Sequence, residues 1–128
     1  MSGFLNGEAL GDFAGQIWHP DGGLLTIKHA VINASTIGDN TIVSAVTDKS
    51  ILVLSVHFIV STAVGVRFES GAGGTALTGV MNFPANGGYA LNFNRGGWYK
   101  TVAGQLLNME LSIAGSATVS GSLQYVEI

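Results

Sequence analysis

Apolar and polar side chains alternate along most of the chain after Leu52, with a period of two residues. Between Leu107 and Ile113, for example, every odd position is apolar and every even position is polar. Successive side chains of a β-strand point to opposite sides, so this pattern predicts strands with one face in a core and one face outside it. The pattern recurs in segment after segment, which predicts an all-β protein.

Eight strands are predicted, separated by short segments rich in Gly, Asn, Asp and Pro. Eight short strands with regular turns favour a jelly-roll-like antiparallel β-sandwich, with an immunoglobulin-like sandwich as the alternative. The most apolar segment, residues 51–60, is rich in β-branched residues and predicts a central strand buried on both faces. The predicted strands cover residues 24–34, 41–46, 50–61, 64–69, 76–82, 88–93, 105–113 and 118–127.

The first 23 residues differ from the rest because large apolar side chains are scattered among many glycines. Each glycine costs a helix about 1 kcal/mol relative to alanine, so a helix is disfavoured here. We predict an irregular N-terminal arm over residues 1–23 and a β-sandwich domain over residues 24–128. An apolar arm of this kind is expected to lie on its own domain or on a neighbouring subunit. Its predicted partner-binding residues are Phe4, Leu5, Phe13, Ile17 and Trp18.

Charged residues make up only 10% of the chain, whereas ordinary globular domains have roughly 25%. Hydrophobic residues make up 47% of the chain. A monomer so poor in charge would be poorly soluble, which predicts that copies of the chain or a partner cover much of its surface. The net charge is −3 and the five Lys and Arg are spread along the chain, so neither nucleic acid nor a membrane is an expected partner.

No motif in the sequence predicts catalysis. The chain has no Cys, and His19, His29 and His57 are not spaced as a metal site. No two of the eight acidic residues share a strand face as a carboxylate pair, although long-range folding could still bring two together. Neither a nucleophile elbow nor a phosphate-binding loop is present. We therefore expect no enzyme activity, no catalytic residues, no cofactor and no metal.

The segment 92–100 combines aromatic, polar and cationic side chains in a stretch that predicts a loop. In one interpretation, which we favour for Trp98, the indole caps the open end of the sandwich. In the other, Arg95, Trp98 and Tyr99 form a contact patch for a partner or a sugar, because aromatic rings and Arg supply large contact areas. Arg95 and Lys100 are expected to be exposed in either case.

The order of several short blocks resembles a family of small virion proteins of tailed bacteriophages. The resemblance covers about residues 40–128, and it is carried by the blocks together rather than by any one of them. The blocks are ILVLS at 51–55, VGVRFESG at 64–71, LTG at 77–79, PANGG at 84–88, FNRGGWY at 93–99, AGQLLN at 103–108 and VSGSLQYVEI at 119–128.

The resemblance implies a non-enzymatic β-sandwich protein of the virion. Proteins of this kind often decorate or cement the capsid as trimers, and similar modules also occur on tails. The expected function is therefore a capsid decoration protein, made in the host cytoplasm, that binds the major capsid protein as a homotrimer. The alternative is a carbohydrate- or receptor-binding module on a tail or spike, with its site around Arg95, Trp98 and Tyr99.

Overall fold

The computed structural model describes residues 15–20, 23–112 and 116–128. These residues form β-strands joined by turns, and they contain no helix. The strands are β1 (Gln16–His19), β2 (Gly23–Thr26), β3 (Lys28–Ala34), β4 (Gly38–Val43), β5 (Ile51–Val60), β6 (Val64–Ser70), β7 (Thr75–Ala76), β8 (Met81–Phe83), β9 (Gly88–Leu91), β10 (Tyr99–Lys100), β11 (Leu107–Ser112) and β12 (Val119–Glu127).

The strands after the β1–β2 hairpin form two antiparallel sheets in jelly-roll order. One sheet runs β3, β12, β5, and then β9 and β10 along the same edge of β5. The other runs β4, β11, β6, and then β7 and β8 along the same edge of β6. If β7 with β8, and β9 with β10, each count as one interrupted strand, the orders are 1-8-3-6 and 2-7-4-5.

This order confirms the predicted jelly-roll-like sandwich of eight strands. It differs from the immunoglobulin-like alternative, in which the first two strands lie in the same sheet, because here β3 and β4 belong to opposite sheets.

The main core lies between the two sheets and is built from the inward positions of the alternating pattern. Phe58 is at its centre, with its ring centroid 6.4 Å from that of Phe68 and 5.3 Å from that of Tyr89. Full burial of a side chain of this size contributes roughly 1.5–3 kcal/mol to folding. The core therefore fixes which face of each strand turns outward.

Strand β5 changes its outward face at a β-bulge. Ser55 pairs with Gln124 and Val53 pairs with Tyr125, so Leu54 is the extra residue. Leu52 and Leu54 are buried on the outer side of the sheet, whereas the outward residues of the later half of β5 are exposed. The prediction of burial on both faces is thus confirmed only for the beginning of β5.

The hairpin of β1 and β2 covers this apolar outer patch. Ile17 from β1 packs with Leu52, Leu54 and Val126 in a second small core. The backbone carbonyl of Gly15 accepts a hydrogen bond of 2.7 Å from the amide of Ile27, which closes the base of the hairpin. Residues 16–19 are therefore a strand inside the segment predicted as an irregular arm, because their own alternation places Ile17 on an apolar surface.

Candidate functional site

A cavity of about 300 Å³ lies where the β1–β2 hairpin meets the loop between β9 and β10. We call it the Trp98 cavity. Leu52 and Ile128 line it together with residues 96–100, and His19 of β1 also contributes. The β1–β2 hairpin and the loop between β9 and β10 are far apart in the sequence, but they border a single cavity.

The loop that forms one wall of the Trp98 cavity is held in a single turn. The backbone amide of Gly97 donates to the carbonyl of Asn94 at 2.9 Å, and the Asn94 side chain accepts from the amide of Gly96 at 3.0 Å. Gly97 has φ of +84°, and a Cβ at this position would overlap the side chain of Leu52. Only glycine fits this combination of backbone angle and close approach.

Trp98 is presented at the surface by this turn. Its backbone amide donates to the carbonyl of Val53 at 2.8 Å, and its indole Nε1 donates to the carbonyl of Asn92 at 2.8 Å. The side chain is still 44% exposed. The favoured interpretation of Trp98 as a cap of the sandwich is therefore wrong, because hydrogen bonds at both backbone and indole hold the ring on the outside.

Tyr99 has the inward position next to Trp98. Its ring centroid lies 5.4 Å from that of Phe68, and its hydroxyl lies 3.4 Å from that of Tyr89. Burial, followed by the hydrogen bond to Tyr89, raises the pKa of the Tyr99 hydroxyl above its usual range. Tyr99 lines the cavity, but most of its contacts belong to the core rather than to a partner surface.

The other predicted partner-binding residues fall into three groups. Phe4, Leu5 and Phe13 lie outside the described residues. Ile17 is only 1% exposed, because it packs in the small core beneath the hairpin. Trp18 and Arg95 are exposed, and Lys100 is exposed at the cavity, as was expected for Arg95 and Lys100.

A second surface, on the outside of the sheet of β3, β12, β5 and β9, carries none of the four charged residue types. We call it the β3–β9 face. The register places Val31, Ser122, His57 and Ala90 in one row across the four strands. The row on one side contains His29, Gln124 and Ser55. The row on the other side contains Asn33, Ser120, Ile59 and Gly88.

Several polar side chains of the β3–β9 face pair with each other. Ser55 Oγ donates to Gln124 Oε1 at 2.9 Å, and Gln124 Nε2 lies 3.2 Å from His29 Nε2. Val31 is 76% exposed and Ile59 is 60% exposed, the highest values among the exposed large apolar residues. In the described part of the chain these two side chains are exposed, and the surface is suited to contact with another protein.

An acidic cluster lies on the outer face of the opposite sheet. Carboxylate oxygens of Asp39, Glu69 and Glu110, from β4, β6 and β11, lie within 4.8 Å of one another. Arg67 Nη2 donates to Glu69 at 2.6 Å and to Glu110 at 2.5 Å. The hydrogen bond to Glu69, with the one to Glu110, raises the pKa of the Arg67 guanidinium. The sequence prediction found no carboxylate group of this kind, because its three members lie on different strands.

Asn108 of β11 belongs to the same cluster. It is fully buried, and its Nδ2 donates to Asp39 Oδ1 at 2.9 Å and to Glu69 Oε1 at 2.8 Å. Three carboxylates are hard oxygen ligands of the type that Ca²⁺ prefers. Arg67 already forms ion pairs with two of them, so we interpret the cluster as an ion-pair network that joins three neighbouring strands.

Comparisons of this chain with known protein families, curated proteins and solved structures found no match. None of the described residues belongs to a helix long and apolar enough to span a membrane.

Proposed function

We propose that this chain is a structural protein of a bacteriophage virion, without enzyme activity, that decorates the capsid by binding the major capsid protein as a homotrimer. The block order described above supports the virion assignment. The observation that carries the trimer is the β3–β9 face, where four adjacent strands present an outer surface without Asp, Glu, Lys or Arg.

An exposed sheet face of this composition is unfavourable in a monomer. Val31 and Ile59 are the large apolar side chains that this face exposes to water. Burial of apolar surface contributes about 25 cal/mol per Å², and the face has no charged side chains that would have to be desolvated. In the proposed trimer, each copy buries this face against its neighbours.

The capsid contact is proposed to come from the N-terminal arm and the surface near it. The β1–β2 hairpin follows Gly15, and Trp18 is exposed on that hairpin. Aromatic side chains of this kind often anchor protein interfaces. In the proposed complex, residues 1–14 lie on the major capsid protein and the trimer bridges several capsid subunits.

Cosedimentation with heads that were assembled without this protein tests the proposal. A deletion of residues 2–14 keeps Gly15 and Ile17, which close and anchor the hairpin. The full-length chain is expected to sediment with the heads, and the deletion variant is expected to keep its β-sheet circular dichroism and native mass but to lose binding.

Two results would count against the proposal. If the full-length chain fails to sediment with the heads, the capsid function is wrong. If the deletion variant binds as well as the full-length chain, the arm has no part in the contact. Trp18→Ala serves as a third protein that keeps residues 2–14 and removes one exposed aromatic ring of the hairpin.

A further inference from the structure

We propose that the Trp98 cavity binds an acidic saccharide, with one sugar ring stacked on Trp98 and its carboxylate beside Lys100. The cavity of about 300 Å³ is at the lower end of the range for small-ligand sites. This function is separate from capsid binding, and neither proposal depends on the other.

The indole of Trp98 is a rigid platform. Its only N–H group is already bound to the Asn92 carbonyl, so what remains for a ligand is the apolar ring surface. The two residues before it are Gly96 and Gly97, which have no side chains to cover the ring. A ring that is held in place before binding loses little conformational entropy when a ligand stacks on it.

The charge around the Trp98 cavity favours an anionic ligand. Between Glu69 and Glu110 the sequence has no acidic residue, and its only charged side chains there are Arg95 and Lys100. Lys100 and His19 are among the described residues that line the cavity, and none of these lining residues is Asp or Glu. Lys100 is exposed and has no ion pair within the described part of the chain. Lys100 therefore places one positive charge at the cavity, next to an aromatic ring.

An acidic sugar matches both properties of the cavity. Its ring has an apolar face that can stack on an aromatic side chain, and its carboxylate can accept a charge-assisted hydrogen bond from an ammonium group. The apolar lining from Leu52 and Ile128 lowers the exposure of that pair to water. A neutral sugar would make the stacking contact but not the ion pair.

Fluorescence titration tests this inference, because the chain has only two tryptophans. In a Trp18→Phe background, Trp98 is the single reporter. The probes are a tetrasaccharide of galacturonic acid and its neutral counterpart built of galactose. The acidic probe is expected to change the Trp98 emission with saturation and to bind about tenfold more tightly than the neutral one, with an affinity that falls as salt is raised.

Matched variants distinguish the stacking contact with Trp98 from the ion pair with Lys100. Calorimetry measures binding to the variants that lack Trp98. Trp98→Ala is expected to weaken binding about tenfold, and Trp98→Phe is expected to keep part of it. Phe93→Ala removes an exposed ring of the same loop that does not line the cavity, and it should bind normally. Lys100→Met should abolish the preference for the acidic probe, whereas Lys49→Met should retain it.

The inference is overturned if neither probe binds at millimolar concentration. It is also overturned if both probes bind equally well, or if binding survives Trp98→Ala and Trp98→Phe unchanged. Since Trp98→Phe keeps an aromatic ring in the same turn, it tests the site even if Trp98→Ala proves unstable.

Discussion

Val31 and Ile59 project from the same outer face of one sheet, on strands β3 and β5, with β12 between them. They are 76% and 60% exposed, and the positions that surround them are Ser, Asn, Gln, His, Ala and Gly. The face therefore combines exposed apolar side chains with small or uncharged ones. This relationship is the structural basis of the proposed association between copies.

Charges placed on this face should separate the copies. In the double variant Val31→Lys with Ile59→Lys, each interface would have to bury unpaired ammonium groups, so the native mass is expected to fall to that of one chain. The matched control is Ile37→Lys, which changes a residue 50% exposed in the turn between β3 and β4. Light scattering measures the native mass of both variants. If the double variant still assembles, the contacts between copies lie outside the β3–β9 face.

Gly97→Ala should destabilise the fold more than a glycine substitution at a similar backbone angle. Gly97 and Gly104 have φ of +84° and +83°, but only at Gly97 would a Cβ meet another side chain, that of Leu52. Gly104→Ala is expected to cost about 1–2 kcal/mol from backbone strain alone. Gly97→Ala is expected to cost about 1–3 kcal/mol more from overpacking, measured by urea denaturation. Equal losses for the two variants would contradict the close contact with Leu52.

Tyr99 should make the protein less stable in alkali. Burial raises the pKa of its hydroxyl in the folded state, so the folded chain keeps a proton that the unfolded chain releases above pH of about 10. The free energy of unfolding is therefore fully present below that pH and decreases as the pH rises further. Tyr99→Phe should flatten this decrease. Thermal unfolding of the original chain and of Tyr99→Phe between pH 8 and 11 measures this decrease in stability. If stability falls with pH as steeply in Tyr99→Phe as in the original chain, Tyr99 is not its cause.

Asn108→Asp tests the ion-pair network. The substitution places a buried carboxyl beside Asp39 and Glu69 and removes the amide that donates to both. It is expected to cost about 3–5 kcal/mol at neutral pH. Burial and like charges raise the pKa of the new carboxyl in the folded state, so the loss should shrink as the pH falls.

The matched control for this substitution is Asn92→Asp, which adds the same group at an exposed loop position. It should change the free energy of unfolding by less than about 0.5 kcal/mol. A small loss for Asn108→Asp that does not vary with pH would mean that the cluster tolerates a further negative charge.

The alternation of side chains predicted the fold well because it depends only on which faces of the strands are buried. The apolar, β-branched composition of residues 51–60 predicted burial on both faces for the whole of β5, which is confirmed only for its beginning. The alternation placed strands at or near β2 to β12, apart from β10, although it joined β2 and β3 in one strand over residues 24–34. It divided the chain less well where a strand is interrupted: residues 76–82, predicted as one strand, overlap the ends of β7 and β8. There Thr78 Oγ1 accepts a hydrogen bond from the Phe68 amide and takes the place of a ladder partner.

The functional surfaces were harder to predict because they depend on strand order. The acidic cluster joins residues that lie up to 71 positions apart in the sequence, from Asp39 to Glu110, and it forms only when β4, β11 and β6 are neighbours. The Trp98 cavity likewise needs the hairpin to fold back over Leu52. The aromatic loop itself was identified from its residues, but the outward position of Trp98 and the inward position of Tyr99 follow from contacts that the sequence does not reveal.

The native mass of the purified full-length chain, followed by light scattering over a dilution series, tests the central claim most directly. We predict a mass of three chains of 13.2 kDa each, maintained on dilution. A single-chain mass at every concentration, or a stable assembly of two chains, would contradict the proposed trimer.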